Sequence, residues 1–362
     1  MDSRTLSTEI PGRVRAGLGQ GARFTGLPWA RRQFLQLLGI EPFPGTLNLQ
    51  VEAPFLSQWV GLNQQSGYRL VPETPADCGA RCYPILVSVR GRGAITAAIV
   101  VPEVSGYAPD QVEVIAAIPL RQSLELADDD LVMLQTAPSR PVKAALFDVD
   151  GTLVDSIDGY RRAAELAARP FGWPVSIDAV RRALNFGEQF WHLVVPPEAH
   201  GDHDLIARLR RDTMAHWPAV LEDSVLVFPG IETMLRRLKA AGVRLGICTA
   251  SQGESFLPLE RSGLLPLFDE VVTARHVVRR KPDPEGILLC MQRMGLAAGD
   301  TVYVGDTVAD IRASHAAGLY SVGVLTGAGD SALLSGAGAH RIIPDLQQLP
   351  ELLLDDVPRL PD

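Results

Sequence analysis

Ala144-Ala145-Leu146-Phe147-Asp148-Val149-Asp150-Gly151-Thr152-Leu153-Val154-Asp155 is an apolar run that stops at two carboxylates and a glycine. Such a run reads as a buried parallel strand whose carboxyl end carries a reactive site. Asp148 and Asp150 stand two positions apart, so in an extended segment both carboxylates project to one side, and Gly151 lets the chain turn away. Two acids on one edge repel each other. They either hold a divalent cation or split into a nucleophile and a proton carrier, and the two arrangements are compatible.

Three later stretches extend this pattern. Arg244-Leu245-Gly246-Ile247-Cys248 reads as a second buried strand that ends at Thr249-Ala250-Ser251, where a hydroxyl can meet a transferring phosphoryl oxygen or cap a helix. Arg279-Arg280-Lys281-Pro282-Asp283-Pro284 sets a cation ahead of a proline, which favours an extended course. Thr301-Val302-Tyr303-Val304-Gly305-Asp306 is a third apolar strand ending in acid, with Asp310 four residues on; if Asp306 opens a helix, the two share a face. Between Asp155 and about Leu226, apolar stripes at helical spacing mark 161–168, 177–184 and 205–216.

Asp148 to Thr152 reads D-V-D-G-T and, with Thr249, Lys281 and the G-D-x-x-x-D of Gly305 to Asp310, resembles the four signatures of the haloacid dehalogenase (HAD) superfamily of aspartate-nucleophile phosphatases. The likeness covers about 142–349, and the helical block after the first signature is similar to the cap of the phosphoglycolate phosphatase and β-phosphoglucomutase branch. The resemblance implies that Asp148 attacks phosphorus and that Asp150 protonates the leaving alcohol and later activates water. Thr249 and Lys281 would steady the phosphoryl group, and Mg²⁺ would sit on Asp148, the Asp150 carbonyl and Asp306, with Asp310 in support. Gly187 and Glu188, with Asn185, Phe186 and Trp191 around them, stand where that branch contacts substrate. Packing of the aromatics in the cap core is the other reading. A mutase outcome uses the same aspartyl-phosphate.

From Gly12 to about Gln135, short apolar stretches broken by Gly, Pro and Asp suggest a β-rich module. Strands are expected at 85–89 and 94–101 about the Gly91-Arg92-Gly93 turn, and helical periodicity is confined to Trp29–Leu38, stopped by Gly39. Gly17-Leu18-Gly19-Gln20-Gly21 has the composition of a loop whose amides approach phosphate oxygens, and of a simple flexible turn. In Pro42-Phe43-Pro44-Gly45-Thr46-Leu47-Asn48, Thr46 and Asn48 offer hard neutral oxygens suited to Mg²⁺. Taken together, these elements resemble the archaeal-type, CTP-dependent riboflavin kinase family, as does the tail Glu113-Val114-Ile115-Ala116 followed by Leu120-Arg121 and Leu124. The resemblance implies a cradle-loop β-barrel in which Gly17, Gly19 and Gly21 hold nucleotide phosphates and Thr46 and Asn48 hold Mg²⁺. CTP would then phosphorylate riboflavin to FMN. The sequence departs from the family at Glu103-Val104-Ser105-Gly106-Tyr107, where an Arg-Thr-His-like stretch is usual. Val104 and Gly106 bring no cation there, while Ser105 and Tyr107 retain hydrogen-bonding groups for substrate. Asp128-Asp129-Asp130 suits a solvated hairpin turn.

The 362 residues suit two domains, and 46% hydrophobic with 21% charged residues describes a globular protein. An excess of 42 acidic over 34 basic residues argues against broad nucleic-acid binding. No apolar run spans a bilayer and the start lacks a signal-peptide core, so a cytoplasmic protein without membrane partners is expected. The four cysteines lack zinc-finger or disulfide-framework spacing and read as free thiols, and His192, His200, His203 and His216 are too irregular for a metal site. The Thr136 to Pro141 stretch, with two prolines, is the natural boundary. The expected plan is a riboflavin kinase-like β-barrel over 1–137, a linker at 138–142, and an α/β Rossmann-like HAD domain over 143–355 with a helical cap at about 156–228. Its expected activity is a Mg²⁺-dependent phosphomonoesterase acting on a small phosphorylated metabolite, such as a riboflavin precursor, joined to an FMN-forming kinase. The alternative is a phosphoglycolate or sugar-phosphate phosphatase whose first domain only binds flavin or nucleotide.

Overall fold

The computed structural model describes residues 9–17, 21–63, 67–89, 93–136 and 142–354. The chain separates into two compact units, Met1–Pro141 with Asp330–Pro344 and Gln348–Asp362, and Val142–Gly329 with Asp345–Gln347.

The first unit is built on strands β1 (Glu9–Arg15), β2 (Leu47–Val51), β3 (Tyr68–Leu70), β4 (Ala80–Ser88), β5 (Ala94–Pro102), β6 (Gln111–Ala116) and β7 (Leu131–Thr136). All of their pairings are antiparallel, in the order β3-β4-β5-β6-β2-β1-β7, and β7 pairs back onto β4. Six strands thus close a barrel, and β3 extends β4 outside the ring. Closure removes sheet edges and leaves a core of alternate side chains, among them Val14, Leu49, Ile85, Ile99, Val112, Val114 and Leu134. The helix Pro28–Leu38 packs Trp29, Phe34 and Leu38 on the opposite face of β5 and β6, against Ala98, Val100 and Ile115, and ends at Gly39 with φ +64°. Helical structure is not confined to this segment: Gly21–Thr25, Leu56–Asn63 and Leu120–Ser123 are helical too. Short segments lack enough turns to show periodicity, and Leu56–Asn63 has only a faint apolar stripe. Residues 91 and 92 of the expected turn and 138–141 of the expected linker lie outside the described residues.

The second sheet runs β10-β9-β8-β11-β12-β13, with β8 (Ala144–Phe147), β9 (Arg244–Cys248), β10 (Glu270–Val272), β11 (Thr301–Gly305), β12 (Tyr320–Val324) and β13 (Arg341–Ile343). The pairings among β8, β9, β10, β11 and β12 are parallel, and β8 and β11 are buried throughout, which explains their uninterrupted apolar character. From β8 the chain goes to β9 on one side and later to β11 on the other. The order reverses at β8, which puts Asp148 at the switch point where a crevice opens beyond the strand ends.

The cap helices are Ile157–Ala168, Ile177–Phe186 and His203–Ser224. The first presents Gly159, Ala163, Ala164, Ala167 and Ala168 as a small-residue face, and a Cβ at Gly159 would meet Val225 Cγ2 at 2.5 Å. Trp191 is 1% exposed and packs edge-on to Phe190. It is therefore a cap-core aromatic. His192 and His200 bond main-chain carbonyls, and all four cysteines are free. Among the described residues, no helix is long and apolar enough to cross a membrane.

Candidate active site

Asp148 follows β8 directly, is 7% exposed, and is anchored by its N–H to Val304 O at 2.9 Å. Gly151, at φ +76°, turns the chain back so that Thr152 Oγ1 donates to Asp306 Oδ1 at 3.0 Å. The glycine is required twice over, because a Cβ there would come within 2.5 Å of Asp306 Oδ2. Asp150 is half-buried, and its Oδ1 accepts a bond from Ser156 Oγ at 2.7 Å.

Asp306 caps the end of β11 and is fully buried; besides Thr152, Ala328 N–H donates to its Oδ2 at 2.8 Å. Gly327 packs so closely that a Cβ would fall 2.0 Å from that oxygen. Asp310 is also fully buried but serves differently. Thr307 donates to it from N–H at 3.0 Å and from Oγ1 at 2.6 Å, completing a capping box for the helix Val308–Ala316, and Tyr303 OH lies 3.1 Å from its other oxygen.

Lys281 joins these acids. Its Nζ stands 2.9 Å from Asp148 Oδ1, bonds Asp310 Oδ1, and lies 3.0 Å from Tyr303 OH, which itself donates to Cys248 O at 2.9 Å. The Asp148 contact is an ion pair off the hydrogen-bond directions, so Asp148 Oδ1 is a buried oxygen with no hydrogen bond. The bond from Lys281 to Pro282 is cis. Arg279 is exposed and pairs with Asp283 and Glu285. Thr249, 5% exposed at the end of β9, uses its Oγ1 to accept from Ser251 N–H at 3.1 Å, a local turn bond.

Electrostatics follow from three buried acids against one cation. Burial pushes the Asp148 carboxyl up to about 7; Lys281 opposes the rise, and Asp310 and Asp150 add to it. Burial, then Asp310 and Asp148, hold Asp306 well above the usual carboxylate range. Burial alone would lower the Lys281 ammonium, but the Asp148 and Asp310 charges more than offset it and hold it above its ordinary value. Carboxylate oxygens of Asp148, Asp306 and Asp310 lie within 4.8 Å of one another. With a buried oxygen lacking a hydrogen bond and excess negative charge, this donor set fits a hard divalent cation.

In the cap, Gly187 ends the helix Ile177–Phe186 at φ +67° and Glu188 pairs with Arg182. The cap side chain of Asn185 hydrogen-bonds the loops around Asp306. It stands in a row of residues with ordinary helical spacing, and only the fold reveals where it points.

In the barrel, Gly17 and Gly21 abut the expected metal ligands: a Cβ would lie 2.4 Å from Asn48 Nδ2 and 2.3 Å from Thr46 Oγ1, respectively. Gly19 lies outside the described residues. Register pairs Asn48 directly with Glu113 across β2 and β6. The Glu113 carboxyl is pushed up by burial, while a hydrogen bond from Thr46 lowers it. Tyr107 adds a buried hydroxyl with no hydrogen-bond partner, raised by burial and by the nearby Glu113 charge. Ser105 is exposed on the same loop. Glu113 was not among the expected site residues. In sequence it is one polar residue in an ordinary alternating strand, and only the register sets it opposite Asn48.

Comparison with known proteins agrees with both halves. Residues 145–324 match the family model described as haloacid dehalogenase-like hydrolase. Residues 14–136 match the model for a domain of unknown function, DUF120, labelled for CTP-dependent riboflavin kinase. The chain is 38% identical over 139 residues to a riboflavin kinase of Methanosarcina barkeri, a match covering 35% of this chain and 56% of that one. It is 30% identical over 207 residues to a phosphoglycolate phosphatase of Escherichia coli O157:H7, covering 51% of this chain and 82% of that one. The crystal structure of a hydrolase from Pseudomonas syringae shares the fold at a TM-score of 0.50 and 24% identity, covering 59% of this chain and 98% of that one. An aspartate at the switch point of a parallel sheet, backed by a buried lysine and two further acids, stands within the matched residues 145–324: this chain is an enzyme of the haloacid dehalogenase-like hydrolase family with a riboflavin kinase-like barrel at its N-terminal side.

Proposed function

We propose that the second unit is a Mg²⁺-dependent phosphomonoesterase working through an aspartyl-phosphate on Asp148. The buried cluster of Asp148, Asp306, Asp310 and Lys281 carries this reading. Asp148 and Asp306, with the Asp150 carbonyl, would hold Mg²⁺, while Asp310 is taken up in anchoring Lys281 and the helix start. The cation supplies neutralisation of charge between an anionic nucleophile and an anionic ester. Asp148 attacks phosphorus as the ester P–O bond breaks, and Asp150 gives its proton to the leaving alcohol. Asp150 then takes a proton from water as that water attacks the aspartyl-phosphate, releasing phosphate and restoring Asp148. Ser156 holds Asp150 in the meantime.

Protons and cation compete for Asp148, whose carboxyl is pushed up to about 7. Mg²⁺ affinity is expected to fall at least about tenfold per pH unit below 7, as Asp148 must give up its proton and Asp306, also raised, adds to the linkage. Thermal unfolding checks this: Mg²⁺ raises the midpoint more at pH 8 than at pH 6, and equal shifts at both would refute a proton-linked site.

For the barrel, we propose phosphoryl transfer from CTP to riboflavin, with Thr46 and Asn48 holding Mg²⁺, the Gly17, Gly19 and Gly21 loop on the phosphates, and Glu113 and Tyr107 facing substrate. Positioning and charge neutralisation suffice for such chemistry. The two units then act on different substrates, since opposed reactions on one flavin would only consume CTP. A phosphorylated ribityl precursor such as 5-amino-6-ribitylamino-uracil phosphate suits the phosphatase in this scheme, and phosphoglycolate is the competing substrate. Cytoplasmic placement fits soluble metabolites. The exposed Glu103 to Gly106 loop contributes no cation of its own, and the nearby Arg69 and Arg81 are paired with Glu103, which favours a second reading, a barrel that binds flavin or nucleotide without turnover.

The deciding experiment incubates full-length Asp148→Asn with riboflavin, Mg²⁺ and CTP or ATP, following FMN by chromatography. FMN from CTP, reduced about 100-fold or more by Asn48→Ala, supports the kinase. No FMN from either nucleotide, with riboflavin still bound, supports the binding module.

A further inference from the structure

Asn185 lies near the end of the cap helix Ile177–Phe186 and is 6% exposed. Its amide is committed to backbone groups. Oδ1 accepts from Val308 N–H at 3.2 Å, and Nδ2 donates to Ala328 O at 2.9 Å and to Arg181 O at 3.0 Å. Val308 opens the helix that follows Asp306 and Thr307, so its N–H is one of the donors that a helix start leaves without an intrahelical acceptor. Ala328 is the residue whose own N–H holds Asp306 Oδ2. One cap side chain thus joins the helix start that follows Asp306 to the loop that holds its Oδ2. Around it, Ile157, Val180 and Ala328 form a small apolar seam. An amide in such a place costs stability unless all of this geometry is satisfied together.

We propose that Asn185 is a positioning residue that makes seating of the cap conditional on the arrangement of the two Asp306 loops, and fixes that carboxylate when the cap is seated. If either loop shifts, the amide loses a partner in a buried site, and the helix Ile177–Phe186 lifts. When the loops hold Asp306 as a ligand, the amide is satisfied and the cap excludes water from the aspartyl-phosphate. The proposal rests on the phosphatase reading for its catalytic consequence, and on the hydrogen bonds alone for its conformational one.

The test compares wild type, Asn185→Ala and Asn185→Asp, each as the full chain. Amide exchange of peptides covering 177–190, 305–312 and 325–330 is measured without metal and with Mg²⁺ and beryllofluoride, a tetrahedral mimic of phosphorylated aspartate. Removing two paired groups is expected to speed exchange in all three segments about tenfold or more. Protection gained by wild type with beryllofluoride is expected to be mostly lost in the alanine variant. With p-nitrophenyl phosphate, the Mg²⁺ concentration for half-activation is expected to rise about tenfold, with a smaller change in KM for the ester. Asn185→Asp keeps the acceptor for Val308 and loses the donor to Ala328, so its exchange rises at 325–330 more than at 305–312. Should the alanine variant not fold, that asymmetry decides. Exchange and Mg²⁺ half-activation equal to wild type in folded variants would overturn the proposal. A wild type that hydrolyses no ester refutes the phosphatase reading, and the exchange comparison still decides the positioning role.

Discussion

Asp148→Asn is expected to lower phosphatase turnover by about 10⁴-fold or more and, above pH 7, to make the metal-free protein harder to unfold. Both effects come from one oxygen pair. Asparagine offers phosphorus no nucleophile, so the covalent route closes. Stability moves the other way because the Asp148 carboxyl is raised by burial from its ordinary value to about 7. A carboxyl raised on folding binds its proton more tightly in the native state. Its favourable contribution is therefore present below the ordinary carboxylate value, and is lost as pH rises through about 7. Asparagine resembles the protonated form at every pH and avoids that loss. Urea unfolding of both proteins at pH 5 and pH 8, with chelator present, checks the sign: the variant is the more stable, and its advantage is larger at pH 8 than at pH 5. A variant less stable than wild type at pH 8 would contradict the buried, strained carboxylate. Adding Mg²⁺ should narrow the difference by stabilising wild type more, since the cation replaces the missing counter-charge.

Lys281→Met is expected to cost about 3–5 kcal/mol of stability and about 10²–10³-fold in turnover. The lysine is buried, and its ammonium meets both Asp148 and Asp310. Methionine matches the aliphatic stem but leaves two buried carboxylates without their cation, and removing one member of a buried ionic set is far costlier than replacing the whole set. Tyr303 and Cys248 O lose a partner as well, since both lie within hydrogen-bond reach of the ammonium. Loss of Lys281 lifts the Asp148 carboxyl further, so the penalty grows from pH 5 to pH 8. Denaturant unfolding at both values measures it, and a penalty that shrinks toward pH 8 would show that Lys281 is not the counter-ion. Lys281→Arg is not a mild control here. The planar guanidinium does not fit a site shaped for a point charge between two carboxylates and a carbonyl.

The parallel sheet was legible because its strands are buried on both faces, and Ala144 to Phe147, Arg244 to Cys248 and Thr301 to Gly305 all stop at polar residues. A strand's end is a local property, so motif and strand could be read together. The cap helices were legible for the same reason, as each repeats an apolar stripe over several turns. In the barrel, β4 and β5 stood out as long apolar runs, whereas Leu56–Asn63 and Leu120–Ser123 are helices that contacts elsewhere in the barrel impose on weakly patterned segments.

What the sequence determined by itself was the chemistry available: which acids, hydroxyls and cations stand at strand ends, and which two families share those motifs. Tertiary structure alone decided how that chemistry is divided. Asp306 and Asp310 are four residues apart, one just before the N-cap Thr307 and one in the first turn of the helix, yet one lies between Thr152 and Ala328 and the other is taken up by Lys281, Thr307 and Tyr303. Glu113 faces Asn48 only through the β2 and β6 register, and Asn185 meets Val308 and Ala328 across more than 120 residues of chain. Spacing along a helix or strand is set by covalent geometry and can be read from residue types. Which distant backbone amide or carboxylate a side chain meets is set by topology and packing, and no local pattern encodes it.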